Sequence, residues 1–366
     1  MSELFPSAKK NLSRVRSYLP GKPIEEVERE YGLKNAIKMA SNENALGPSP
    51  KAVAALRANL FKIHRYPDGN CFYLRNKLSR LLHVPCESFI FGNGSDEILV
   101  FAVRALVGPR DEVIIAQPTF MIYEIATQVE DGLIVKVPMK NFHYDLAGMK
   151  ARVNDRTKLI FIANPDNPVG TIISEKSLLR FLKEIPPRVA VVLDEAYYEF
   201  AKNVKGYPDS IKFLAAFKNV IISRTFSKAY GLSGLRIGFG ITSPELAGAM
   251  NKVKEPFNVN SLAQTAAMAA LDDKAHLRKT LQMVSAGRKM LSHELEALGL
   301  RVVDTATNFI LTDLGRASST VYEKLLRKGI IVRPMAAWGL GTFIRVTIGK
   351  PAENKRFITE LKHIIC

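Results

Sequence analysis

Short apolar runs alternate with amphipathic stretches along most of the chain. Runs of strand length occur at SFIFG (88–92), EVIIA (112–116), LIVKV (133–137), KLIFIAN (158–164), VAVVLD (189–194), NVIIS (219–223) and RIGFGI (236–241). Segments such as SDEILVFAVRALV (95–107) and EKSLLRFLKEI (175–185) lie between them. Their apolar residues recur every three or four positions, which predicts helices with one buried face. Near-continuous apolar strands separated by helices predict a mostly parallel sheet covered on both sides, an α/β fold. After Pro256 the texture changes. A helical pattern from about Ser261 to Leu298 precedes strand 308–312, helix 319–328, strands 330–333 and 343–348, and a terminal helix. This predicts a large α/β domain over 45–258 and a smaller α+β domain formed by 1–44 and 259–366. A short amphipathic helix marked by Ile24, Val27 and Tyr31 can pack on either lobe or on a partner subunit.

Composition narrows the class. Of 366 residues, 47% are hydrophobic and 24% charged, ordinary globular usage with enough apolar side chain for a sizeable core. The formal net charge of +17 raises nucleic-acid binding. Yet Lys and Arg are spread along the chain and mixed with acids, as in IEEVERE (24–30), and no basic run is interleaved with aromatics. The expectation is a basic surface that attracts anionic metabolites, with no nucleic-acid partner. No run approaches the ~18 apolar residues of a membrane helix, and MSELFPSAKKN at the start lacks an apolar leader. A cytoplasmic protein without a membrane partner is expected. Cys71, Cys86 and Cys366 form no CxxC pair and the histidines no HExxH, so neither a disulfide nor a metal is expected.

Five segments carry candidate chemistry. In SRTFSKAYGLSGLRIGF (223–239) a lysine follows a strand among small hydroxylated residues, with an arginine eight positions on. Lys228 is an amine able to condense with an aldehyde, and Thr225, Ser227 and Arg236 are donors suited to a phosphate. VVLDEAYYEF (191–200) ends a buried strand on Asp194 and continues to Tyr197; ANPDNPVG (163–170) presents Asn167 from a proline-stiffened turn. FGNGSDEIL (91–99) sets Gly94, Ser95 and Asp96 at a helix N-terminus, where backbone amides favour a phosphate. The dinucleotide pattern GxGxxG fails there at its last position. QPTF (117–120) offers the flat ring of Phe120. Singly, each segment also reads as a loop, a strand cap or a core aromatic. Their joint placement near strand C-terminal ends, where α/β sheets bind ligands, points to one site.

In this order the segments resemble those of fold-type I pyridoxal-phosphate enzymes, and within them the class I and II aminotransferases. The resemblance implies pyridoxal 5'-phosphate held as a Schiff base on Lys228. Asp194 would keep the pyridine nitrogen protonated as an electron sink. Asn167 and Tyr197 would face the phenolic oxygen, Phe120 the ring, and Gly94, Ser95, Asp96, Thr225, Ser227 and Arg236 the phosphate. Asp166, Val169 and Phe120 depart from the Asn, Thr and Tyr common at these places.

YLPGKPIEEVEREYGL (18–33), KMASNENALGPSP (38–50), RYPDG (65–69) and IVRPM…FIRVTIG (331–349) are similar to histidinol-phosphate aminotransferases. That similarity implies a homodimer in which Tyr66 reaches the partner's cofactor phosphate and Tyr18 contacts substrate from the neighbouring subunit. It implies Arg345 for an amino-acid carboxylate, and Asn44 in the substrate pocket. Arg333 reads as a ligand of the histidinol phosphate phosphate group, or as a surface ion pair. The implied ping-pong reaction converts histidinol phosphate and 2-oxoglutarate to imidazole acetol phosphate and glutamate, in histidine biosynthesis. An aromatic amino acid aminotransferase and a decarboxylase of a phosphorylated amino acid would share the cofactor residues, and both stay open on the sequence.

Overall fold

The computed structural model describes residue 5, residues 7–18 and residues 20–365; Cys366 lies outside them. A two-residue strand β1 (Ile37–Lys38) precedes β2 (Phe89–Gly92), β3 (Glu112–Gln117), β4 (Leu133–Pro138), β5 (Thr157–Ala163), β6 (Ala190–Asp194), β7 (Val220–Thr225) and β8 (Gly238–Ile241). Strands β2 to β8 form one sheet in the order β2-β8-β7-β6-β5-β3-β4. Its pairs are parallel except those made by β8, which runs against both β2 and β7. Side chains alternate between two cores. Ile160, Ile162, Val191, Leu193 and Ile222 face one side, Leu159, Phe161, Val192 and Ile221 the other, and all are fully buried. At ~1.5–3 kcal/mol for each fully buried large apolar side chain, these two layers supply most of the drive to fold.

Helices cover both faces for local reasons. Glu175–Glu184 starts at Ser174, whose side chain accepts the Ser177 N–H, and buries Leu178, Phe181 and Leu182 along one face. Ser95–Leu106 starts on Gly94 at φ 88 and buries Ile98, Leu99, Ala102 and Val103. The expected strand at 236–241 begins only at Gly238, because Arg236 takes a left-handed conformation with φ 55.

Five further strands follow: β9 (Arg301–Val303), β10 (Phe309–Asp313), β11 (Ile330–Ile331), β12 (Arg333–Pro334) and β13 (Phe343–Thr347). β12-β13-β10-β9 is an antiparallel sheet, and β11 pairs in parallel with β1. The single strand expected at 330–333 is therefore two, since residues on either side of Val332 pair with different partners. The expected helix 261–298 is also two, Ser261–Leu271 and Lys274–Ala297. Asp273 ends the first by capping the second: it accepts the His276 N–H at 3.1 Å and the Ser49 hydroxyl at 2.6 Å. Ala263, Ala266, Ala267 and Ala270 of the first helix pack into the core of the large sheet. Val284, Leu291 and Leu295 of the second pack on the small one.

The N-terminal segment joins both. Helix Ile24–Tyr31 lays Val27 against Leu326 and Ile331. Upstream, the Asn11 amide donates to the carbonyls of Gln128 and Val129 at 2.7 and 3.0 Å.

Candidate active site

One cavity opens where the C-terminal ends of β5, β6 and β7 meet the small sheet. Its lining includes Ser95, Asp96, Phe120, Asn167, Asp194, Tyr197, Thr225, Ser227, Lys228 and Arg236 from the large sheet's strand ends and loops. Tyr18, Arg333 and Arg345 close it from the other side. The large-sheet residues, from Ser95 to Arg236, converge because parallel strands end at one edge of their sheet.

Lys228 leaves β7 through a loop tied by the Ser227 N–H donating to Thr225 Oγ1 at 3.1 Å. Its Nζ donates to the Ser41 carbonyl at 3.3 Å. Burial, helped by the Arg345 charge, pulls its pKa down to about 8. Asp194 ends β6, and burial pushes its carboxyl up to about 6, against hydrogen bonds from Tyr123 and the Ala196 N–H. The Tyr123 hydroxyl donates to Asp194 Oδ2 at 2.7 Å, and its ring lies flat on Phe161 at 4.4 Å. Beneath these ends, Arg224 Nη2 and Glu195 Oε2 form an ion pair at 2.7 Å with both side chains out of solvent. Arg224 also sits 3.5 Å from the Tyr198 ring centroid, so the carboxyl ends of β6 and β7 are pinned together.

The Asn167 turn is held by its neighbour. Asp166 is fully buried; its Oδ2 accepts from Thr119 Oγ1 at 2.9 Å and the Tyr144 hydroxyl at 3.0 Å, and its Oδ1 from the Val169 N–H at 3.1 Å. Three donors suit the carboxyl at this departure from the family's asparagine. Burial still pushes its pKa up to about 7. Asn167 Oδ1 accepts from Arg345 Nη1, which orients the amide from the opposite lobe.

Arg345 and Arg333 stand directly opposite each other on β13 and β12. Directly opposed like charges destabilise a sheet, and Arg345 is 6% exposed. Its Nη2 donates to the Ala40 carbonyl at 2.9 Å, and its Nε has no hydrogen-bond partner among the described residues. Two cations so placed are a receptor for anionic groups. At the far end, Gly94 at φ 88 lets the chain pass under Arg236, whose guanidinium a Cβ there would strike. Arg236 Nη2 lies 3.5 Å from Asp96 Oδ2.

A phosphorylated pyridine aldehyde fits this donor set. The cavity holds a buried amine, a buried carboxyl short of a counter-cation, a flat aromatic, and a helix N-terminus beside hydroxyls and an arginine.

Two expectations change, those for Asn44 and Tyr18. Asn44 is not among the cavity residues: its amide is taken up by Ala229 O and Thr280 Oγ1 at 3.0 and 3.1 Å, and its Oδ1 by the Leu46 N–H. Asn42, bent inward at φ 56, lines the cavity instead and donates to the Tyr197 hydroxyl at 2.7 Å. Tyr18 lines the cavity of its own chain. Tyr66 is 84% exposed, stacked on Phe257 at 4.9 Å and outside this chain's own cavity. Tyr123, Asn42 and Trp338 were missed; helical periodicity marks Tyr123 only as core.

The family model for aminotransferase class I and II matches residues 34–361. A histidinol-phosphate aminotransferase of Moorella thermoacetica is 49% identical over 98% of this chain and 93% of its own. Histidinol-phosphate aminotransferase 1 of Nitrosococcus oceani is 46% identical over 100% and 98%. Among solved structures, the histidinol-phosphate aminotransferase of Sinorhizobium meliloti in complex with pyridoxal-5'-phosphate superposes with a TM-score of 0.90 at 29% identity, covering 100% of this chain and 99% of that one. Site geometry and end-to-end likeness agree: the chain belongs to the histidinol-phosphate aminotransferase family of class I and II aminotransferases, and is a pyridoxal-phosphate-dependent enzyme.

Proposed function

We propose that this enzyme transfers the amino group of histidinol phosphate to 2-oxoglutarate, giving imidazole acetol phosphate and glutamate in histidine biosynthesis. The observation that carries this reading is the pair of arginines, Arg333 opposite Arg345, in the cavity that holds Lys228. A site used in turn by a dicarboxylate and a phosphorylated amine needs cations that suit both. Arg345 receives the carboxylate of glutamate, and Arg333 the phosphate of histidinol phosphate.

Pyridoxal phosphate, when bound, supplies an aldehyde that takes up amines and a protonated ring that draws electrons from the carbon losing its proton. Lys228 is the amine that holds the aldehyde. Freed by the substrate amine, its Nζ, with its pKa lowered to about 8, would take the proton from the substrate carbon and deliver it to the carbon that had carried the aldehyde. Asp194 pairs with the ring nitrogen, and its Tyr123 hydrogen bond fixes the carboxyl plane. Tyr197 and Asn167 face the phenolic oxygen; Phe120 covers the ring. The amides of Ser95 and Asp96, the hydroxyls of Thr225 and Ser227, and Arg236 hold the phosphate, over the close approach that Gly94 permits.

The active form is a homodimer in the cytoplasm. Phe61, Ile63, Tyr66, Phe72 and Tyr73 are each more than half exposed within thirteen residues, an apolar patch of the kind that marks an interface. From it Tyr66 reaches the partner's cofactor phosphate. Residues 45–258 make the large domain, with 1–44 and 259–366 the small one; helix Ser261–Leu271 packs on the large domain's core.

Steady-state comparison of histidinol phosphate, phenylalanine and tyrosine as donors to 2-oxoglutarate tests the reading. Histidinol phosphate should have the highest kcat/KM. Preference for phenylalanine or tyrosine would overturn the substrate assignment while leaving the aminotransferase intact.

A further inference from the structure

Trp338, the chain's one tryptophan, lines the same cavity as Lys228 and Arg333 yet has no part in the roles above. It stands on a tight turn, Ala336–Trp338, between β12 and β13. Fully buried Met335 anchors that turn among Val169, Leu311 and Phe343. Two contacts aim the indole. Its Nε1 donates to the Thr119 carbonyl at 3.0 Å, across from the small sheet to the loop that carries Phe120. Its ring centroid lies 5.3 Å from the Arg333 guanidinium carbon, which has Tyr18 at 5.8 Å as a second aromatic neighbour. Arg333 is therefore flanked by two rings, while Arg345 on the opposed strand is held by carbonyl and amide oxygens. Arg345 also has a ring beside it, Phe309 at 5.2 Å, but the indole of Trp338 stands beside Arg333.

From this we propose that Trp338 is a specificity-determining residue. Its indole face orients Arg333 toward the phosphate of a phosphorylated amine, and its N–H bond to Thr119 keeps that face at the cavity wall. The inference rests on the histidinol phosphate reading given above. A guanidinium flanked by aromatic rings gains from the ring quadrupole and loses rotational freedom, so it meets a phosphate already oriented. Glutamate places its α-carboxylate on Arg345 and offers Arg333 only a singly charged carboxylate in place of a phosphate, so it draws less on this arrangement.

The test is a kinetic comparison of Trp338→Ala and Trp338→Phe with the cofactor-loaded wild type, using histidinol phosphate and glutamate as donors. For Trp338→Ala, kcat/KM for histidinol phosphate should fall about tenfold further than that for glutamate, mainly through KM. Trp338→Phe keeps a ring beside Arg333 but loses the N–H bond, and should recover most of the lost selectivity. Equal losses for both donors in Trp338→Ala, or a phenylalanine variant as unselective as the alanine one, would overturn the proposal. Equal losses for the two donors, in an enzyme whose wild type turns over histidinol phosphate, reject the role of Trp338 alone. A wild type inert toward histidinol phosphate rejects the substrate reading along with it.

Discussion

Tyr123→Phe isolates a single hydrogen bond at the centre of the site. The variant keeps the ring, and so the flat stack on Phe161 at 4.4 Å. It removes the hydroxyl that donates to Asp194 Oδ2 at 2.7 Å. Both residues are buried, so water does not replace the lost donor easily. A hydrogen bond to a buried charged group is worth ~1.5–3 kcal/mol. Its loss raises the free energy of ionised Asp194 by about that amount, or roughly one to two pKa units. Burial already pushes the Asp194 carboxyl up to about 6 with Tyr123 in place. Without it, much of the apoenzyme at pH 7 carries a neutral Asp194, unfit to pair with a protonated pyridine. Cofactor affinity at pH 7 should therefore drop about 2- to 10-fold, with most of the deficit regained near pH 9. Titration of apoenzyme with pyridoxal phosphate, followed by visible absorbance at both pH values, reads this directly. An affinity unchanged at pH 7, or a loss of the same size at both values, would refute the role given to the hydroxyl.

Three other perturbations follow from named contacts. Asp166 has a folded pKa pushed up to about 7 against an ordinary 3.8, so between these values the folded protein keeps a proton that the unfolded chain sheds. Stability from this group is thus lost as pH rises through that window. Asp166→Asn should gain on wild type by up to a few kcal/mol from pH 4 to 7 in urea denaturation; a pH-independent difference would contradict it. Gly94→Ala forces a Cβ against the Arg236 guanidinium at a backbone angle of φ 88. It should weaken cofactor binding about 5- to 150-fold while the protein remains folded by circular dichroism, by the ~1–3 kcal/mol such strain costs; unaltered cofactor affinity would argue against the phosphate cradle. Phe61→Asp places a charge in the exposed apolar patch and should shift the sedimenting species from dimer to monomer; an unchanged dimer would move the interface elsewhere.

Much of the site was legible because its signals are local. Asp194 ends a continuous apolar run, Lys228 follows another, and Gly94 opens a helix, so strand order alone carries them to one edge. Long-range pairings were not legible. Tyr123 sits on the buried stripe of helix Ile122–Val129 with Ala126 and Thr127, and nothing in that stripe tells of an acceptor 71 residues on. Asn42 and Asn44 differ by which side of a left-handed bend they fall on; the bend at Asn42 turns that side chain into the cavity and Asn44 away from it. Trp338 enters the cavity from a turn whose direction is set by the buried Met335. The division of helix 261–298 depends on Ser49, more than two hundred positions upstream, meeting Asp273. In the fold, short elements escaped: β9 has three residues, too few to show a period.

The central claim is that Lys228, and no other lysine, carries the cofactor. Borohydride reduction of the cofactor-loaded enzyme, followed by proteolysis and mass spectrometry, tests it most directly. A phosphopyridoxyl group should be found on Lys228, and Lys228→Ala should lose turnover while still binding pyridoxal phosphate through the phosphate donors. A reduced adduct at a different lysine, or wild-type turnover in Lys228→Ala, would contradict the account.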